Sequence, residues 1–193
     1  MVLPITAYGH PVLKKEAEKI DKNYPKLDEI IEDMYETMYY SVGVGLAAPQ
    51  ANLSISLFVV DADPYKEEYP ETENFKQVFI NPEIVEKEGE EWEFKESCLS
   101  VPGIAEYVSR PQTIRIQYFD ENFNFYDEKY SGMIARVIQH EYDHLMGILF
   151  VEKIHNLRKT LIKRKLMDIS KGNVNATYKM IFGSKKKKYL RSM

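Results

Sequence analysis

No disulfide can form within this chain, because Cys98 is the only cysteine among its 193 residues. Taken alone, such a residue reads as a small buried hydrophobe in a reducing compartment. Long apolar runs are missing too. No uncharged stretch approaches the ~18 residues of a membrane-spanning helix, so no membrane contact is expected. The first twenty residues, MVLPITAYGHPVLKKEAEKI, lack the basic-then-apolar order of a signal peptide. They also lack the Arg and Ser richness of a transit peptide, which points to a cytoplasmic chain. No internal repeat is visible, and the length suits one domain better than two.

What is present is unevenly charged. The net charge of -4 hides a split: residues 151–193 hold 13 Lys and Arg against two acids, Glu152 and Asp168. The first 150 residues hold 13 bases and 28 acids. An acidic body with a basic end suggests that the end meets a polyanion. The plainer alternative is a solvated helix followed by a lysine-rich tail.

Patterning places the elements. Residues 25–41 carry apolar side chains at 27, 30, 31, 34, 38 and 39, which is helical spacing. Gly43 and Gly45 stop this helix and open the loop GVGLAAPQ. ISLFVVDA (55–62) reads as a strand, and the polar, proline-bearing 63–77 as a surface loop. VFINPEIVEKEGEEWEFKES suggests two short strands around a Gly89 turn. Ile114, Ile116 and Tyr118 alternate with polar residues in a further hairpin, whose turn falls near Asp120–Asn124. Ser131 is a candidate N-cap for a helix from Gly132 to Met146, with Gly147 as its stop. A basic helix follows over about 154–169. The order predicts an α+β fold: mainly antiparallel β-sheets around a central helix, with one N-terminal and one C-terminal helix.

QHEYDH (139–144) lies on that central helix. His140 and His144 are one turn apart on one face, so their imidazoles can meet one ion. Glu141 projects about 100° round the helix, which suits a base acting on a water beside the ion. Apolar residues nearly encircle this helix, so its His and Glu would be costly to bury without partners. A catalytic site needs a third protein ligand. The pattern HExxHxxGxxH fails at Phe150, and His10 and His155 sit in no site-like context. Downstream, Glu152 stays open but lies only eight residues past His144. Cys98 is the remaining soft ligand, and a Cys with two His accepts zinc or ferrous iron. Met133 and Val137 share the His140 face and are candidates for an apolar side-chain pocket, with Val44 and Phe94 beside them.

Three separated stretches, GVGLAAPQ (43–50), ESCLSVPG (96–103) and QHEYDHLMG (139–147), resemble the signature motifs of the peptide deformylases. YGHPVL, INPEI and GMIARVIQ add to the resemblance, which runs from about residue 3 to 155. The sequence departs from the family pattern at Ser97, where Gly is usual, and a side chain there would narrow the floor of the cleft. The resemblance implies removal of the formyl group from N-terminal formyl-methionine of newly made polypeptides, with release of formate. It implies Cys98, His140 and His144 as metal ligands and Glu141 as general base and acid. It implies that Gln50 and the Leu99 N–H polarise the formyl oxygen. It also implies Fe2+ in the cell, replaced by Zn2+ or Ni2+ after purification. Gly43, Val44 and Gly45 would let a peptide pair with the loop backbone as an added strand. Two other readings remain: another metal-dependent amidohydrolase or peptidase, and a module stapled by a structural metal. The expected organisation is a metallohydrolase domain over 1–170, then a basic, partly disordered tail over 171–193. The basic residues 154–193 would suit docking on the ribosome, where nascent formylated chains emerge.

Overall fold

In a computed structural model, the structure describes residues 1–183. Five strands form one antiparallel sheet in the order β2-β3-β4-β5-β6: β2 (Gly45–Ala47), β3 (Leu57–Asp61), β4 (Lys76–Ser97), β5 (Ala105–Phe119) and β6 (Phe125–Ser131). Three helices accompany it: α1 (Leu27–Tyr40), α2 (Gly132–Leu145) and α3 (Asn156–Ser170). The α+β expectation therefore holds. α2 packs against β2, β3, β5 and β6, so the sheet wraps the helix that carries the histidines.

β3 shows why a continuous apolar run suits the middle of such a fold. Its residues alternate between two buried faces. Phe58 and Val60 meet Met133, Val137 and Ile138 of α2. Leu57 and Val59 meet Ile31, Met34 and Met38 of α1. Ile114, Ile116 and Tyr118 are buried in phase, as their alternation predicts. The β5–β6 turn is an Asx turn: Asp120 Oδ1 accepts from the Asn122 and Asn124 N–H groups at 2.9 and 2.8 Å.

Four local expectations change. Residues 76–97 are one long strand, not two strands about a Gly89 turn. Gly89 (φ +80°) lies where the β4–β5 register shifts between Glu88 and Glu91. A bulge and a hairpin both draw on a positive-φ glycine, and β5 continues pairing on both sides of this one. The 63–77 loop is not merely a polar excursion: it holds short 3-10 turns at Asp63–Tyr65 and Pro70–Thr72, and its last two residues join β4. Glu71 Oε1 from this loop accepts the Met133 N–H at 3.2 Å, satisfying a free donor at the start of α2. Ser131 sits at the N-cap position, but its hydroxyl pairs with Thr113 Oγ1 at 2.9 Å instead of capping.

The fourth change concerns the expected loose tail. Residues 171–183 return across the body. Near the N-terminus, β1 (Ile5–Thr6) pairs in parallel with β7 (Met180–Ile181), with Ile5 and Ala7 N–H groups donating at 2.8 Å to Lys179 and Ile181 carbonyls. Val174, Met180 and Phe182 pack on apolar clusters, which repays the ordering of a segment that looks polar in sequence. The lysine run at 185–188 lies outside the described residues.

Gly147 ends α2 at φ +70°, and a Cβ there would stand 2.8 Å from the Lys14 carbonyl carbon and 3.0 Å from its oxygen. Backbone atoms cannot swing aside as side-chain tips can. Gly147→Ala is therefore expected to cost more than about 1 kcal/mol of stability. Denaturant unfolding that gives equal stability for both proteins would refute this.

Candidate active site

The cleft lies where the loop before β2, the end of β4 and one face of α2 meet. The structure brings Cys98, His140 and His144 together, with one ligand atom from each within 4.8 Å of the others. Cys98 Sγ is 3.3 Å from His144 Nε2. Donors around one tetrahedral ion stand roughly 3–4 Å apart, so a thiolate and two imidazoles here fit a divalent metal. His144 Nδ1 and Glu141 Oε2 are buried and make no hydrogen bond among the described residues. Glu152, the open alternative, turns away from this group. Its Oε1 accepts from the Leu149 N–H at 2.7 Å and pairs with Lys14. The two remaining histidines are caps: His10 Nδ1 accepts from Val12 N–H, and His155 Nδ1 from Leu157 N–H at the start of α3.

Each expected site residue except His144 lines the cleft itself: Gly43, Val44, Gly45, Gln50, Phe94, Cys98, Leu99, Met133, Val137, His140 and Glu141. Gln50 is buried, and its amide has one defined sense. Oε1 accepts from the Ala47 N–H at 2.8 Å, which turns Nε2 toward Cys98 Sγ and Ser100 Oγ, both at 3.4 Å. Ser97 is exposed and lines the cleft beside Cys98. Val44 is paired through its carbonyl to Asp61 N–H at 2.9 Å, and β2 beside it is the edge strand of the sheet.

The charges behind Cys98, His140 and His144 were not singled out from sequence. Glu96, on β4, takes Arg110 Nε at 2.6 Å and Arg136 Nη1 at 2.9 Å on one oxygen. Its other oxygen takes Arg110 Nη2 and meets His140 Nδ1, each at 2.9 Å. Arg110 also reaches Asp143 Oδ2 at 2.7 Å, and Lys153 reaches Asp143 Oδ1 at 2.8 Å. Arg136 Nη2 donates to the Trp92 carbonyl at 2.6 Å, and its guanidinium lies 4.4 Å from the Trp92 ring centre. A sequence signal existed. Arg110 occupies the inward phase of β5 with Val108, and Glu96 stands inside the quoted ESCLSVPG motif.

This environment sorts the protonation states. Burial works against the Glu96 charge, but Arg110 and His140 outweigh it and hold the carboxyl well below its usual range. Burial also opposes charge on His140, yet hydrogen bonds with Cys98 and Glu96 raise its pKa well above the usual value, and a metal held between Cys98 and His140 would take the place of that proton. His144 goes the other way, held well below its usual value by burial and then by the His140 and Arg110 charges. Burial pushes the Glu141 carboxyl up to about 7; the His140 charge opposes this and the Glu96 charge adds to it. A carboxyl near neutrality can both take and return a proton.

The polypeptide deformylase family model matches residues 2–160. The chain belongs to this family. A peptide deformylase of Christiangramia forsetii is 54% identical over 194 aligned residues, covering 97% of this chain and 99% of its own length. One of Flavobacterium psychrophilum is 52% identical, covering 97% and 100%. Among solved structures, the peptide deformylase of Thermotoga maritima is similar at TM-score 0.73 and 38% identity, covering 80% of this chain and 99% of that one. That of Legionella pneumophila gives 0.77 and 34%, covering 90% and 98%. This deformylase is a metal-dependent hydrolase that removes the formyl group from N-terminal formyl-methionine of polypeptides. No helix among the described residues is long and apolar enough to cross a membrane.

Gly45 makes room for the Glu141 side chain. A Cβ there would stand 2.5 Å from Glu141 Oε1 and 2.8 Å from its Cδ and Cγ. Gly45→Ala must therefore displace the buried Glu141 side chain. Formate release is expected to fall at least about 10-fold, a loss in keeping with a misplaced proton-transfer group, while bound metal stays unchanged. An unchanged rate would show that the position of Glu141 is not critical.

Proposed function

We propose that Cys98, His140 and His144 hold the metal of this deformylase, that Fe2+ is the ion in the cell, and that Zn2+ or Ni2+ replaces it in purified protein. The single observation that carries the reading is the convergence of the chain's one thiol with two imidazoles of one helix. The ion supplies Lewis acidity at that corner of the cleft. Glu141 takes a proton from the attacking water and returns it to the departing amine, giving formate and a free N-terminus. Gln50 Nε2 and the Leu99 N–H donate to the formyl oxygen as charge grows on it. Phe94, Met133 and Val137 receive the methionine side chain. Gly43, Val44 and Gly45 present the loop backbone before edge strand β2 to the peptide that follows.

All of these residues lie within 1–170, the span expected for the metallohydrolase domain, and the returning segment to residue 183 packs onto that domain. A structural metal would be closed by a fourth protein donor, and no fourth joins this group among the described residues. The substrates are nascent chains, so a cytoplasmic enzyme working beside the ribosome follows. The exposed Lys163, Arg164, Lys165 and Lys171, on α3 and just past it, supply the charge for docking on ribosomal RNA.

Anaerobically prepared, iron-loaded protein is expected to release formate from a formyl-Met peptide and to leave the unformylated peptide intact. Cys98→Ala is expected to lose the metal. Glu141→Ala should keep it, with turnover reduced at least about 100-fold. A Glu141→Ala enzyme working near the parent rate would remove Glu141 from its role. Co-sedimentation with ribosomes is expected at low salt and lost at high salt; binding indifferent to salt would count against α3 docking.

A further inference from the structure

Leu99 and Ser100 form the middle of a turn that follows Cys98, closed by the Val101 N–H on the Cys98 carbonyl at 2.9 Å. Nearly every polar group of this turn is tied to a different part of the chain. The Ser100 carbonyl accepts from Tyr8 N–H at 2.8 Å, and Ser100 Oγ faces Gln50 Nε2. The Leu99 carbonyl accepts from the Tyr178 hydroxyl at 2.8 Å. The Leu99 N–H makes no hydrogen bond among the described residues, so the turn is held from all sides around one free donor. The Leu99 side chain in turn packs beside Gly43, where a Cβ would stand 3.0 Å from Leu99 Cδ1.

Tyr178 belongs to the returning C-terminal segment, and Asn175, Ala176 and Thr177 before it line the same cleft. The segment is not a loose neighbour, because β7 locks it to β1 two residues later. Burial pushes the Tyr178 hydroxyl up to about 12, so it stays protonated and donating at neutral pH. Its ring packs with Leu99 on the cluster that holds Ile5 and Leu46.

We propose that Tyr178 is a positioning residue for deformylation: by fixing the Leu99 carbonyl, it holds the Leu99 N–H where the formyl oxygen develops charge. This rests on the reading of the Leu99 N–H as half of the oxyanion clamp. A clamp acts through alignment, so a loosened turn weakens the transition state more than it weakens peptide binding. The segment thus serves the reaction through one hydroxyl while its neighbours close the cleft wall.

Tyr178→Phe removes the hydroxyl and keeps the ring in its packing. The metal-loaded full chain is expected to lose about 10-fold in kcat with KM within about twofold. Hydrogen exchange of the Val101 amide should quicken, since the turn it closes is freed, and this readout needs no turnover. An unchanged kcat overturns the proposal. If exchange quickens with kcat unchanged, the Leu99 N–H reading falls with it; if neither changes, Tyr178 alone loses its role. A matched fall in kcat and rise in KM, with lowered thermal stability, would mark a merely structural residue and also overturn the proposal.

Discussion

The carboxylate of Glu96 is the point on which the rest of this protein depends. It is buried among two arginines and a histidine, and it joins β4, β5 and α2 at one place. Such a charge is tolerated only because every partner is present; removing one partner of a buried ion pair typically costs about 3–5 kcal/mol. The consequence for chemistry is directional. Because His140 Nδ1 is engaged by Glu96, Nε2 is the nitrogen left to turn toward Cys98 and His144. Asp143 and Lys153 extend the same network to the far end of α2, so the helix is fixed in rotation as well as in place.

The cleft is shaped by close backbone approaches as much as by side chains. Gly45 lies against the Glu141 carboxylate, and Gly147 lies against the Lys14 backbone. Gly45 and Gly147, from two of the three signature stretches, therefore answer to packing. Gln50 follows the same logic, since one hydrogen bond from Ala47 N–H decides which end of its amide faces the site.

Much of this was legible in the sequence, for definable reasons. His140, Glu141 and His144 follow helical spacing, β3 is a continuous apolar run, and Asp120 announces its turn. Cys98 emerged because the other candidate ligands were few. The hidden parts depend on distant contacts. Glu96 on a polar strand reads as a solvent-facing acid until Arg110 and Arg136 are seen to enclose it. Pro111 and Gln112 interrupt the alternation that would have marked Arg110 as inward. Gly89 carries the same signature in a bulge as in a turn. Tyr178 meets Leu99 across 79 residues, through a two-residue strand too short to have a pattern.

That last contact orders events during the making of the molecule. A ribosome delivers the residues around Cys98 first, then α2 with its histidines, and residues 175–178 after both. The loop joining Leu99 to Tyr178 is long, so its closure is entropically costly and follows local structure. A growing chain can thus bring its thiol and imidazoles together before the C-terminal segment closes one wall of the cleft. The meeting of those three side chains and the completion of the cleft are separable stages, and the second waits for the C-terminal segment.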